Sequence, residues 1–242
     1  LVKVQDETGS AIEYVSFLSS WINNIGNMQS TEGYYVKVNT ASSVTVSGTA
    51  TNLPLDIPLT NGWNIISYPG QNAQDADNVL QALMDAESLV KVQDETGSAI
   101  EYVSFLSSWI NNINNFKPGE GYYVKVNQAT TLTIDEATSV SRIANTEEKI
   151  EPVHFQTATT GNPYQPMNLY IVDATLDGNP VGRGVEIGIY DNDICVGSSV
   201  LIKPLTDETS YLSIIVGRDD PTTDIIDGYI PGDHIEVRIF DG

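Results

Sequence analysis

A single cysteine, Cys195, occurs in 242 residues, which rules out both an intrachain disulfide and a thiolate metal cluster. It sits in Ile194-Cys195-Val196, an apolar run where a small buried hydrophobe is expected. Histidine is nearly as scarce, with His154 and His234 standing apart from any motif and expected at the surface. HExxH, G-x-S-x-G, Walker and G-x-G-x-x-G patterns are all missing. A carboxylate-pair hydrolase needs two acids facing across a cleft, and 32 acidic residues make chance proximity uninformative. The chain is expected not to be an enzyme.

Positive charge is sparse as well. Eleven Lys and Arg against 32 acidic residues leave a net charge of −21. A field of that sign repels phosphate backbones and anionic head groups, so no nucleic acid and no membrane insertion are expected. Neutral polysaccharide, cations or the basic surface of another protein are the partners that suit it. No apolar run approaches the ~18 residues of a membrane helix. No leader pattern is visible, and Leu1-Val2-Lys3-Val4 reads as strand from the first residue, as a piece of a longer polypeptide would.

What is present is a long repeat. Residues 1–25, LVKVQDETGSAIEYVSFLSSWINNI, recur without a change at 89–113. The likeness continues from TEGYYVKVNTASSVTV (31–46) to GEGYYVKVNQATTLTI (119–134), at a constant offset of 88. Solenoid units are shorter, roughly 20–50 residues, so an array of small domains is expected. The copies differ mainly at 26–31 against 114–119, as a tolerant loop would. Residues 54–87 precede the second copy and have no counterpart before the first. The first module, 1–51, is therefore expected to be incomplete and packed on the second, 52–138.

In the second module, Trp63–Tyr68 reads as a strand apolar on both faces and ended by Pro69-Gly70. Asp75 or Asp77 can cap a helix whose stripe is Val79, Leu80, Leu83 and Met84. Val90 and Val92 alternate with Lys91 and Gln93 as a half-buried strand. The tract from Ile100 to Ile113 fits either one helical face or turns with short strands. In GYYVKV the pleat places Tyr34, Val36 and Val38 on one face and Tyr35, Lys37 and Asn39 on the other. Tyr35 and Tyr123 are thus the outward aromatics. Trp21 and Trp109, beside polar Ser and Asn, are further candidates for stacking on a sugar. Each also has a plain structural reading, β-propensity for the tyrosines and core for the tryptophans. Weak sites repeated at fixed spacing would gain avidity on a polymer.

SVSRIANTEEKIEP (139–152) reads as a linker, and 153–242 as an antiparallel β-sandwich without helix. Val185, Ile187 and Ile189 alternate with Glu186 and Gly188, and Tyr190–Asp193 makes a hairpin turn. Calcium is the metal that plentiful oxygen ligands would suit. Asp191 and Asp193 flank the hairpin tip, and Asp219, Asp220, Asp224 and Asp227 crowd one loop. Asp and Asn also cap turns with their own side chains, so turn chemistry and calcium binding both stand. Asp173–Gly178 mimics the start of an EF-hand loop, but its twelfth position is Gly184.

GWNIISYPG (62–70), LVKVQDETG (89–97) and NNINNFKPGEGYYVKV (111–126) resemble a repeat of large exported proteins of Bacteroidetes-type bacteria. Gly161-Asn162-Pro163-Tyr164, Val185–Asp191, Cys195-Val196-Gly197, Asp219–Thr223 and Asp227-Gly228-Tyr229 resemble a second module of such proteins. That resemblance implies a secreted or cell-surface location and carries no site residues with it. The expected molecule is mainly β, with two tandem small modules, one short helix in the complete copy, and a sandwich. An adhesive or polysaccharide-binding role leads. A stalk or filament spacer, or an accessory region of a longer secreted enzyme, are the alternatives.

Overall fold

The computed structural model of the chain describes residues 1–136, 149–206 and 210–242. It is mainly β, with several antiparallel sheets and one α-helix among the described residues. Two compact units result: one holds the two repeats, the other the C-terminal residues together with the loops Glu95–Ser98 and Ser104–Ser108. Most of the expected linker, 139–148, lies outside the described residues.

In the first repeat, β1 (Lys3–Gln5), β2 (Ala11–Val15), β3 (Ser20–Asn23) and β4 (Tyr35–Lys37) form one sheet in the order β3-β2-β1-β4. The second repeat begins with β5 (Leu55–Leu59), β6 (Gly62–Ser67), β7 (Gln74–Asp75) and α1 (Ala76–Asp85). It continues with β8 (Leu89–Gln93), β9 (Ala99–Val103), β10 (Ser108–Asn111), β11 (Asn115–Phe116), β12 (Gly121–Val126) and β13 (Thr130–Ile134). Its main sheet runs β10-β9-β8-β12-β6, and β13 pairs with β5 in a ribbon beside it. The ambiguous tract at 100–113 is thus strand, a 3₁₀ turn at Ser104–Leu106, then strand. The segment where the copies differ keeps one backbone requirement. Gly26 and Asn114 both take positive φ (82° and 68°), which these two residue types tolerate.

Asp75 caps α1 by accepting from Asp77 N and Asn78 N at 2.9 and 3.3 Å. Val79, Leu80 and Leu83 then face a core shared with Ile66, Tyr122, Val124, Leu132 and Ile134. Asn64 locks the β5–β6 turn. Its side-chain oxygen accepts Thr60 N at 2.8 Å, and its amide donates to the Thr60 and Val124 carbonyls at 3.0 and 3.3 Å. Val90 departs from the expected alternation: Val92 is buried but Val90 is exposed. A register shift between Lys125 and Val126 pairs Val126 with Leu89 and turns Val90 off the core face.

The first repeat touches the second through a short segment. Glu32 bridges Ile66 on the outer edge of β6, Gly33 N donates to the Ile65 carbonyl at 2.8 Å, and Ser67 Oγ donates to the Ser30 carbonyl. A Cβ on Gly33 would lie 2.5 Å from the Ile66 carbonyl oxygen, so only glycine permits the approach.

The C-terminal unit contains β14 (Tyr164–Ile171), the small ribbon β15–β16 (Thr175–Leu176, Asn179–Pro180), β17 (Glu186–Asp191), β18 (Ile194–Val200), β19 (Leu212–Arg218) and β20 (Ile235–Phe240). Sheets β14-β19 and β18-β17-β20 enclose a core of Val185, Ile187, Ile189, Val196, Ile214 and Val216. Strand β17 does not alternate in burial as its sequence predicts, because residues 153–155 cover its outer face. Phe155 packs on Gly188, where a Cβ would lie 2.7 Å from the ring. Buried Glu186 accepts three backbone N–H groups, Val153 at 2.9 Å, His154 at 2.8 Å and Phe155 at 3.0 Å. His154 is at the surface but lies flat on Phe240, ring centres 3.7 Å apart.

Candidate functional site

The face of the second-repeat sheet that looks away from α1 gathers lysines and aromatics. Residues directly opposite on neighbouring strands point the same way, so register defines two rows. One row is Trp63, Lys125, Lys91 and Glu101; the next is Ile65, Tyr123, Gln93 and Ala99. The first repeat carries the same rows without their β6 member: Lys37, Lys3, Glu13 and Tyr35, Gln5, Ala11. Lys3, Lys37, Lys91 and Lys125 are four of the five cations within residues 1–136, so this face is the positive one on a strongly acidic chain.

Like charges directly opposite destabilise a sheet, and Lys91 and Lys125 are so placed. Two contacts offset the repulsion. Lys91 Nζ lies 3.2 Å from Glu101 Oε1, and Lys125 Nζ sits 5.6 Å from the centre of the Trp63 ring. Trp63 also meets Tyr123 edge to face, centroids 6.3 Å apart at 89°. Trp63 remains 43% exposed. The result is an indole face at the edge strand, flanked by a phenol and an ammonium. Such a surface can stack on the C–H face of a sugar ring and donate hydrogen bonds to its hydroxyls.

Tyr35 and Tyr123 are both half-buried on this face. Trp21 and Trp109 lie on the opposite face, each edge-to-face with a tyrosine, Tyr14 at 5.8 Å and Tyr102 at 5.9 Å. Trp109 packs against the core, whereas Trp21 is exposed. The structure therefore does not bring the tyrosines and tryptophans of the sequence reading into one site. Trp63 is the aromatic that joins Tyr123. Sequence reasoning placed it in a strand apolar on both sides and gave it no role.

The inner tyrosines are held identically in both copies. Tyr122 OH accepts Lys117 N and donates to Glu120 Oε2, each at 2.9 Å. Tyr34 OH accepts Gln29 N at 2.9 Å and donates to Glu32 Oε2 at 3.0 Å. Burial first, and then the neighbouring carboxylate, raise both phenols above their ordinary pKa, so they stay protonated. A cleft of about 170 Å³ between α1 and β13 is lined by Gln74, Asn78, Thr131, Thr133 and Asp135, among others, and is smaller than a usual small-molecule pocket.

The acidic residues proposed for calcium are dispersed in their roles. Asp191 is buried rather than displayed at the hairpin tip, accepting Ile230 N at 2.7 Å and Asn192 Nδ2 at 2.9 Å. Asn192-Asp193 forms the tip, with Asn192 at positive φ and Asp193 exposed. Asp219 Oδ1 accepts Asp227 N at 3.1 Å, and Asp220 Oδ1 accepts both Thr222 N and its hydroxyl at 2.9 and 2.7 Å. Asp224 is exposed. Among the described residues no three His, Cys, Asp or Glu side chains stand together as a metal group. Cys195 is buried, and burial raises its thiol pKa.

No protein-family model matches the chain, and neither the curated proteins nor the solved structures include a match. Among the described residues no helix is long and apolar enough to cross a membrane.

Proposed function

We propose that this chain is a non-catalytic part of a secreted or cell-surface protein, and that its repeats hold neutral polysaccharide on the lysine–aromatic face. One observation carries the reading: Trp63, 43% exposed, stands on this face with Tyr123 against its edge and Lys125 over its ring. Tyr35 and Tyr123, Lys37 and Lys125, Lys3 and Lys91, and Glu13 and Glu101 are each half-buried in both copies, and Ile65, Gln93 and Ala99 in the adjoining row are buried. Trp63 supplies the stacking platform, Tyr123 its edge contact, and Lys125 the donor beside it. The net charge of −21 disfavours polyanions, and a stacking aromatic beside hydrogen-bond donors suits uncharged polymer. The resemblance of the GWN and GYYVKV segments to repeats of exported proteins is what suggests the location.

Retention of the full chain on neutral glucans, mannans and chitin tests the proposal. Trp63→Ala is expected to weaken binding about tenfold, the loss of one stacked ring. Trp109→Ala, on the other face, leaves affinity unchanged where the fold is intact. No retention on any polymer, or a silent Trp63→Ala, would leave the repeats as spacers in a stalk.

A further inference from the structure

Four apolar side chains of the first repeat lie bare where their counterparts 88 residues on are sealed. Val36, Val38, Val44 and Val46 are 48, 40, 83 and 88% exposed, whereas Val124, Val126, Leu132 and Ile134 are 0, 1, 1 and 0% exposed. Their immediate sequence is the same or conservatively changed, so the difference is one of cover. In the second repeat that cover is known. Strand β6 pairs along β12, β5 pairs along β13, and Leu80 and Leu83 of α1 close the core over Val124 and Leu132. The first repeat has none of these. Among the described residues β4 has one strand neighbour, β1, and residues 42–46, the counterpart of β13, form no strand. Asn111 shows the same gap in a polar bond: its amide donates to Asp77 on α1 at 2.8 Å as well as to the Asn114 carbonyl at 3.5 Å, while Asn23 keeps the equivalent of the second bond, to the Gly26 carbonyl at 3.0 Å.

We infer that this bare face is the docking surface for a strand–strand–helix segment of the pattern of residues 54–87. The second repeat fixes the occupant and shows where a copy of it can be joined. Its α1 ends at Asp85 and runs directly into Leu89, and Leu89 is the counterpart of Leu1. The occupant would place one strand on the open edge of β4, draw residues 42–46 into a ribbon, and lay an apolar helix stripe over Val36 and Val44. Leu1, 60% exposed against 6% for Leu89, would be sealed with them.

The test adds a second copy of residues 54–88 ahead of Leu1 in the full chain and follows amide exchange by mass spectrometry. Peptides spanning 34–46 differ in sequence from 122–134 and so report the first repeat alone. Exchange in 36–46 is expected to slow by ~100-fold or more, as for amides moved from open loop into a cooperative sheet. An extension whose counterparts of Leu80 and Leu83 are changed to Asp is expected to give no slowing. No slowing with the intact extension, or equal slowing with both, would overturn the inference. So would concentration-dependent dimerisation of the unextended chain that protects the same amides, since a second copy would then be the occupant.

Discussion

Glu186 offers the sharpest test of how the C-terminal unit is held. Its carboxylate lies beneath the segment 153–155 and receives three consecutive backbone N–H groups within 3.0 Å. Two pKa effects oppose each other: burial raises the pKa, while the donors from Phe155, Val153 and His154, with the charge of His154, lower it. The lowering wins, so the folded pKa lies below the ordinary value. Glu186→Gln removes the charge and turns an amide NH₂ toward at least one N–H donor. At about 1 kcal/mol for each bond to a carboxylate near the surface, the loss is about 2–4 kcal/mol. For a domain of this size that is roughly 10–30 °C in melting temperature.

The assay can assign the transition. All three tryptophans, Trp21, Trp63 and Trp109, belong to the repeats, so tryptophan fluorescence follows that unit and calorimetry sees both. The calorimetric transition without a fluorescence change should fall in Glu186→Gln, and the other should stay. The sign with pH follows from the depressed pKa. The stabilisation is complete above the unfolded value of ~4.3 and is lost as pH falls through the lower folded value. Wild type and variant should therefore converge on acidification below about pH 4.3. A melting temperature unchanged within ~3 °C at neutral pH, less than ~1 kcal/mol, would refute the three-donor account.

Gly33→Ala should push the first repeat off β6, because its Cβ would lie 2.5 Å from a backbone oxygen, and faster proteolysis within 1–50 would report it. Gly188→Ala should lift Phe155 from the sheet and cost about 1–3 kcal/mol in the calorimetric transition that lacks tryptophan signal. Asp75→Ala should remove the α1 cap and cost about 1 kcal/mol, read from denaturant melts by tryptophan fluorescence. Calcium and chelator should leave both melting temperatures unchanged, since Asp219 and Asp220 already serve turn N–H groups; a rise with calcium would restore the metal reading.

Alternation was enough to read GYYVKV: β12 is buried at every second residue from Tyr122. The cap at Asp75 and the stripe of Val79, Leu80 and Leu83 were equally local and equally legible. Trp63 was not, because its outward direction depends on pairing with Lys125, 62 positions away, and no local pattern states that register. Glu186 was hidden for the same reason. Its alternation with Val185 and Ile187 points to solvent, and only residues some thirty positions upstream bury it. The 100–113 tract has apolar residues at helical spacing, yet pairing of β9 with β8 outweighs that periodicity.

The duplicated 25 residues separate pattern from context. Periodicity assigns Trp21 and Trp109 the same face, and the structure agrees; it cannot say whether that face is covered. Trp109 packs on a core that α1 completes, while Trp21 is exposed where no such helix is present. Exposure that appears in only one copy therefore reports missing cover rather than a surface kept open for a partner. Tyr35 and Tyr123, like Lys37 and Lys125, are half-buried in both copies, so their partial exposure does not depend on α1. Trp21 and Trp109 lie on the face opposite the lysines, and that placement separates them from Tyr35, Tyr123 and Trp63. It also fixes an order of dependence. Sealing the first repeat would bury Val36 and Val44 without touching the lysine face, so the docking and polysaccharide proposals can fail separately.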